Sequence, residues 1–466
     1  MDQLDYLIAA FKKKGIYVYL DLLVQRQFRP GDVPEGGATE NGGKQVGVFD
    51  DKIIELEKEF NEQLFTHVNK YTNLAYKDDP VFIGSELVNE TWIGGQWQGD
   101  CLTPYYAKKL DEKFEKSPFY AGKPRSILKQ LPPLDMYCAQ RLTAENKNSD
   151  SVNTMKFLLD LEGKYVDNMT AHLRSIGVKY PIAYTNMPYS FTGLLKNKSK
   201  GDIIINNSYW SHPWDYSLGS LSPTFIQSQL YRHKASLIVE NCIYNVKGKP
   251  FMVTEWNACH PNPHRCDAIP LLTAYGSLQG WQNFTQFTMS DDANGANSLS
   301  PFGVANDPVH LAQWVVGAPM FLRGDIKEAK GLVRHAISEE SVLQFPNQDP
   351  YLQNNYYLSY VTKYENTFDN DPVGKAEDYL KYVDLNKETY SSETGELKLD
   401  GKALSFSVNT AKTQGAVAEF KGKEIDLPFL KIKLDNTYAS VFVVSKDGLP
   451  LSESKNFYLV VTPTLR

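Results

Sequence analysis

The chain lacks a basic excess: Lys and Arg total 49 against 55 Asp and Glu, for a net charge of -6 over 466 residues, and no dense basic run occurs. A nucleic-acid backbone is held by just such a patch, so a nucleic-acid partner is not expected and a neutral ligand fits better. Cysteine is scarce. The five thiols, Cys101, Cys138, Cys242, Cys259 and Cys266, are too few and too scattered for a disulfide framework. Cys259 and Cys266 flank His260 and His264 in CHPNPHRC, which would admit a disulfide or a metal clip. The two prolines and the absence of a repeated pair spacing argue against zinc, so unbonded loop thiols are expected.

Long apolar runs are also missing. No stretch approaches the roughly 18 to 20 residues of a membrane span, so no membrane partner is expected. The start, MDQLDYLIAAFKKKG, places acidic residues before a short apolar patch, which is not the charged-then-apolar order of a signal peptide. The chain as written is expected to be soluble and without an export address. Loss of an N-terminal segment would make a secreted or periplasmic protein the expectation, so localisation stays open. There is no internal repeat of fixed period and no low-complexity tract.

Aromatic residues are plentiful. They make up 12% of the chain, with 28 Tyr, 23 Phe and 7 Trp, and several fall beside polar residues at strand ends rather than inside apolar runs. That placement suits sugar stacking, because the C–H face of a pyranose packs on a flat ring, although most such rings serve a core.

Amphipathic helices alternate with apolar strands through the first two thirds. Leu4, Leu7, Ile8 and Phe11 share a helical face that stops at Gly15, and the strand IYVYLDLL follows. The pattern recurs with a helix over 52–69 before VFIGSELVN, and with another over 153–176 before PIAYTN. DIIINNSYW (202–210), PFMVTEW (250–256) and QNFTQFTMS (282–290) add three strands, with helices at 269–280 and 308–322. Near-continuous apolar strands between helices predict a parallel sheet covered by helices. About six such units predict an α/β protein with a (β/α)8-type TIM barrel, incomplete at its N-terminus, over residues 1–328. From 329 to 466, short alternating strands such as LPFLKIKLD and YASVFVVSKDG lie between Gly and Asp turns, predicting a C-terminal antiparallel β-sandwich. The glycine-rich segment 31–47 is expected to be a mobile loop at a strand's carboxyl end.

In a parallel barrel the reactive groups gather at the carboxyl ends of the strands. Glu90 ends one strand in LVNETW, and Glu255 ends another, three strands later, in PFMVTEW. Each has a neighbouring Trp, Trp92 and Trp256, expected as part of a sugar platform. Two carboxyls facing one glycosidic bond can divide acid/base and nucleophilic work, provided that the acid keeps its proton and the nucleophile stays ionised. Asn89 is placed to bind a sugar hydroxyl. The plainer reading of either Glu is a solvated loop residue or a helix cap. Asp21 and Glu86, within strands, are expected to serve as hydrogen-bonding groups of the barrel interior.

These stretches resemble a family. LVNETW and PFMVTEWN look like the acid/base and nucleophile strands of the clan A retaining glycoside hydrolases, most closely the cellulase-like family 5, and the resemblance covers roughly residues 1 to 325. The motifs are short, but their order and their separation of 165 residues strengthen them together. The resemblance implies that Glu90 is the general acid/base, that Glu255 is the nucleophile, and that Asn89 contacts the hydroxyl next to the reacting carbon. It also implies Tyr209 or His212, in NNSYWSHP with Trp210, as substrate-side neighbours of the nucleophile. Loop packing is the alternative for Tyr209 and His212. Such chemistry needs no metal or organic cofactor.

In the clan, the unit resembling LDYLIAAFKKKGIYVYLDLL leads into strand three, so the chain offers six of eight strands. An open parallel sheet leaves unpaired edges and an uncovered interior. A homo-oligomer in which each copy covers the other's open side is therefore expected. The functional expectation is a retaining hydrolase of β-linked glycans or oligosaccharides of glucan or mannan type. The rivals are a non-catalytic carbohydrate-binding protein with a degenerate barrel and an assembly subunit completed by a partner chain.

Overall fold

The computed structural model describes residues 1–26, 28–29, 31–33, 44–94, 102–123, 149–187, 192–212, 227–289, 299–343, 350–435 and 437–464. Cys101, Cys138 and residues 34–43 of the expected loop lie outside them. The chain forms two compact units, Met1–Asn206 with 248–250 and 337–349, and Asn207–Lys247 with 251–336 and 350–466. The division between these units falls at Asn206 and Asn207.

In the first unit, helix α1 (Asp2–Lys13) carries Asp2 and Asp5 in its first turn and Lys12 and Lys13 in its last, complementing the helix dipole. Gly15, in the left-handed region at φ 72°, turns the chain into strand β1 (Val18–Leu23). The Asp50 side chain caps helix α2 (Asp51–Thr66) by accepting from the Ile53 N–H at 3.2 Å. Strand β2 (Phe82–Val88) follows, then α3 (Pro104–Glu115), α4 (Ser149–Ser175), strand β3 (Ile182–Ala183) and α5 (Thr192–Lys198).

The three strands form a parallel sheet in the order β1-β2-β3. All of β2 except Ile83 is buried, as a central strand covered on both faces requires. Ile8, Phe65, Val88, Leu158, Met169 and Leu173 belong to one hydrophobic cluster under the helices. Residues 44–47, expected within a mobile loop, form a helical turn with Gln45, Val46 and Gly47 buried.

Strand β4 (Ile204–Trp210) carries the chain across the division between the units. Helix α6 (Leu237–Cys242) leads to β5 (Phe251–Ala258), α7 (Ala268–Gln279), β6 (Asn283–Gln286) and α8 (Pro308–Leu322). Their sheet has the order β4-β5-β6, with β5 and β6 parallel. All six strands read from the sequence are present, as two three-stranded sheets.

A short parallel pair, β7 (Leu332–Ala336) and β8 (Lys363–Thr367), precedes the C-terminal strands. Those strands are β9 (Val383–Asp384), β10 (Thr389–Ser391), β11 (Leu397–Asp400), β12 (Ser405–Asn409), β13 (Thr413–Ala418), β14 (Glu424–Asp426), β15 (Lys431–Lys433), β16 (Ala439–Ser445) and β17 (Phe457–Pro463). Seven make one antiparallel sheet, ordered β9-β10-β11-β12-β13-β16-β17. Every residue of β13 and β16 is buried.

Helices α7 and α8 supply contacts from one side. Tyr275 packs on Phe406 with ring centroids 5.3 Å apart, and Gln313 Nε2 donates to Thr462 Oγ1 at 3.0 Å. The hairpin β14–β15 adds Ile432 to a cluster with Ala416, Ala418 and Val441. Where the sequence pattern predicts a two-sheet sandwich, the described strands form one large sheet with a two-stranded hairpin packed on it.

Candidate active site

In the first unit, hydrogen bonds running down the β1-β2-β3 sheet lead to the first candidate group. The Val88 N–H donates to the Tyr184 carbonyl at 3.1 Å, and the Asn89 N–H donates to the Leu23 carbonyl at 3.1 Å. The chain then leaves the sheet. Glu90 has φ 41°, in the left-handed region that a non-glycine residue seldom occupies.

One side chain holds this turn. Asn186, three residues past β3, accepts the Glu90 N–H on Oδ1 at 2.7 Å and donates from Nδ2 to Asn89 Oδ1 at 2.9 Å. Beside it, Thr185 Oγ1 accepts the Thr91 N–H at 3.3 Å, and Thr91 Oγ1 donates to the Asn89 carbonyl at 2.9 Å. Further along, the buried Glu162 of α4 accepts the Ile93 N–H at 3.0 Å. Burial raises the Glu162 carboxyl to about 8, against the hydrogen bonds that favour its charged form.

Strands β1 and β2 carry a polar cluster. Asp21 and Glu86 are register partners in β1 and β2, and their charges join burial in raising the Tyr19 phenol well above its ordinary range. Lys198 donates to the Met187 carbonyl at 2.8 Å and the Ile205 carbonyl at 3.3 Å. Burial pulls its amine down to about 7, opposed by the charge of Glu86.

The second unit carries the other carboxylate. Glu255 is half-buried within β5, which continues to Ala258, and the Tyr209 hydroxyl at the end of β4 donates to its Oε2 at 2.6 Å. A hydrogen bond to a carboxylate is of the strong, charge-assisted kind, and it fixes the plane of the group. The Tyr209 ring meets His212, Phe302 and Phe287 edge-on at 5.2, 5.5 and 6.4 Å. Burial lowers the His212 imidazole to about 4, so it is neutral at pH 7.

Phe287, just past β6, is 38% exposed. Its backbone is held from below: Asn257 Nδ2 donates to the Phe287 carbonyl at 2.6 Å and to the Phe302 carbonyl at 2.8 Å. Gln286 links this amide to α8, donating to Asn257 Oδ1 at 3.2 Å and accepting from Trp314 Nε1 at 2.7 Å.

The tryptophans expected as sugar platforms are placed otherwise. Trp92 is 2% exposed and Trp256 is 0% exposed, with Trp256 set edge-on to Trp314 at 6.1 Å. A ring enclosed by protein atoms has no face left for a pyranose, so these two support the strand ends from behind. Trp210 is 8% exposed, with its indole N–H donating to the Gln227 carbonyl at 2.7 Å. The exposed ring of the second unit's cluster is Phe287 instead. Sequence reasoning missed Phe287, Phe302, Asn257 and Asn186. For Asn186 a signal existed, because it ends the segment PIAYTN as Asn89 ends VFIGSELVN.

Cys259 and Cys266 are buried thiols outside any disulfide, and burial pushes the Cys266 thiol well above its ordinary range. Among the described residues no group of three or more His, Cys, Asp or Glu side chains could hold a metal ion, and no helix is long and apolar enough to cross a membrane.

Over short stretches the chain is similar to two known mannan endo-1,4-beta-mannosidases. No family model matches the chain. Over 117 residues it is 32% identical to the putative mannan endo-1,4-beta-mannosidase 9 of Oryza sativa subsp. japonica, and over 121 residues 29% identical to mannan endo-1,4-beta-mannosidase 1 of Solanum lycopersicum. These stretches are 23% and 24% of this chain, and the chain spans 29% and 30% of the length of these relatives. The relationship agrees with the clan A, family 5 resemblance carried by LVNETW and PFMVTEWN.

Among solved structures, the chain is similar to the hyperthermostable endo-1,4-beta-D-mannanase from Thermotoga petrophila RKU-1, with 15% identity, 65% of this chain and 74% of that one covered, and a TM-score of 0.38. It is also similar to the beta-galactosidase from Halorubrum lacusprofundi, with 13% identity, 78% and 59% covered, and a TM-score of 0.46.

Proposed function

We propose that the chain is a retaining glycoside hydrolase acting on β-linked glycans of mannan or glucan type, with mannan the first substrate to test. The observation that carries the reading is the hydrogen bond from Tyr209 to Glu255 at 2.6 Å, which fixes a carboxylate in the carboxyl half of a parallel strand. The match to two mannan endo-1,4-beta-mannosidases supports the substrate class.

In this reading Glu255 attacks the anomeric carbon while Glu90 gives its proton to the leaving oxygen, so the C–O bond breaks as the glycosyl ester of Glu255 forms. Glu90, now a carboxylate, takes a proton from water, and the resulting attack frees the sugar with its anomeric configuration unchanged. The two-step route requires the two carboxyl groups about 5 to 5.5 Å apart. Asn89 binds a hydroxyl of the reacting sugar, and Phe287 offers the stacking ring. The incomplete (β/α) barrel remains part of the same proposal.

So does self-association. Strand β1 lies at one edge of its sheet with five of its six residues half-buried, and nearby Leu4, Leu7 and Tyr17 are exposed. An apolar edge of this kind is a pairing liability that a second copy would cover.

The deciding experiment follows hydrolysis of soluble mannan and β-glucan by proton NMR. Initial release of the β-anomer, lost in Glu255→Ala, is the expected result. An initial α-anomer would overturn retention, and equal rates in parent and Glu255→Ala would favour a carbohydrate-binding protein without turnover.

A further inference from the structure

The Asn186 amide has only one orientation that satisfies its neighbours. A backbone N–H can only donate, so the atom facing the Glu90 N–H at 2.7 Å must be the Asn186 oxygen. The Asn186 nitrogen then points at Asn89, and the Asn89 atom that meets it at 2.9 Å must be an acceptor, Oδ1. By elimination, the Asn89 nitrogen is turned away from Asn186. Asn186 itself is 1% exposed, and water is not at hand to relax this sequence of constraints. The same contact holds Glu90 at φ 41°.

We infer that Asn186 is a positioning residue, which sets Asn89 as a hydrogen-bond donor toward a glycan hydroxyl and fixes the backbone from which the Glu90 carboxyl projects. The inference rests on the hydrolase reading above. It also defines the ligand chemistry: the sugar oxygen that meets Asn89 must accept, with its own proton directed elsewhere. A substrate lacking an oxygen there would gain nothing from the prepared donor.

Asn186→Asp is the informative change, since it is nearly isosteric. Its carboxylate still accepts the Glu90 N–H but cannot donate to Asn89, whose amide is then free to turn its oxygen toward the substrate. The expected result on 4-nitrophenyl β-mannoside and soluble mannan is a fall in kcat/KM of about 100-fold at pH 7, the scale of a misplaced reacting group. Protonation of the new carboxyl restores a donor, so the variant-to-parent ratio should rise as the pH is lowered. Asn89→Ala introduced into Asn186→Asp should add little further loss, because both changes remove the same interaction. Should the aspartate variant fold poorly, Asn186→Ser, read in the same double-substitution test, takes its place.

A parent-like kcat/KM in Asn186→Asp, or losses that multiply with Asn89→Ala, would overturn the inference. The control that separates it from the underlying reading is Glu90→Ala. If that variant loses turnover while Asn186→Asp does not, only the positioning role fails. If Glu90→Ala keeps the parent rate, or the parent turns over neither substrate nor soluble β-glucan, the hydrolase reading fails and this inference falls with it.

Discussion

The hydroxyl of Tyr209 donates to Oε2 of Glu255 at 2.6 Å, joining two neighbouring strands through their side chains. Hydrogen bonds to charged groups contribute about 1.5 to 3 kcal/mol. Tyr209→Phe keeps the ring packing against His212 and Phe302 and removes only that bond. It is expected to lower kcat/KM by roughly 10- to 100-fold, the rate equivalent of that energy, and to lower the thermal midpoint by no more than a few degrees. Steady-state kinetics on soluble mannan beside a melting curve check it.

Glu90 sits at φ 41°, a conformation that costs a side-chain-bearing residue about 1 to 2 kcal/mol. Glu90→Gly should therefore be more stable than Glu90→Ala by about 1 kcal/mol, after allowance for the extra freedom of glycine in the unfolded chain. Both should lose turnover. Urea unfolding of the two variants measures the difference; a less stable glycine variant would mean that the turn relaxes.

Two histidines of the second unit give stability a defined pH dependence. Burial lowers His212 to about 4, and it lowers His310 to about 4 despite the charge of Asp307. Between about 4 and the ordinary value near 6.5 the unfolded chain binds protons that the folded chain does not. Stability therefore rises with pH across that window, is complete above about 6.5, and is lost as the pH falls toward 4. His212→Gln should flatten the lower part of that slope in denaturant titrations at pH 4.5, 5.5 and 7. A neutral His212 also means that its titration should leave no mark on the activity profile between pH 5.5 and 8.

Trp256 is wholly enclosed and packs against Trp314. Trp256→Ala should cost about 3 to 5 kcal/mol, the usual penalty for emptying a large aromatic site. Phe287→Ala, by contrast, should leave the melting curve nearly unchanged and weaken binding of mannohexaose in calorimetry. A stable Trp256→Ala with weakened sugar binding would reverse the assignment of the two rings.

Self-association should appear in light scattering coupled to size-exclusion chromatography as a mass near twice 52.7 kDa. Leu4→Lys combined with Leu7→Lys should shift it to the single-chain mass. A folded single chain at every concentration would remove the proposal.

The amino-acid sequence by itself determined the six parallel-type strands and their helices, because periodicity and turn residues are local properties. Glu90 follows the end of β2 as its apolar run suggests, whereas Glu255, read as a strand end, lies inside β5, which runs on to Ala258 because Trp256, Asn257 and Ala258 are buried with it. Only the tertiary structure decided which rings are available. Trp92 and Trp256 lie one or two positions beyond a carboxylate in sequence, yet a residue's neighbour along the chain points elsewhere, and burial depends on what packs over it. The Asn186 clamp on Asn89 and the Tyr209 bond to Glu255 likewise join residues 97 and 46 positions apart. No local pattern encodes such a distance; it is set by which strands lie side by side.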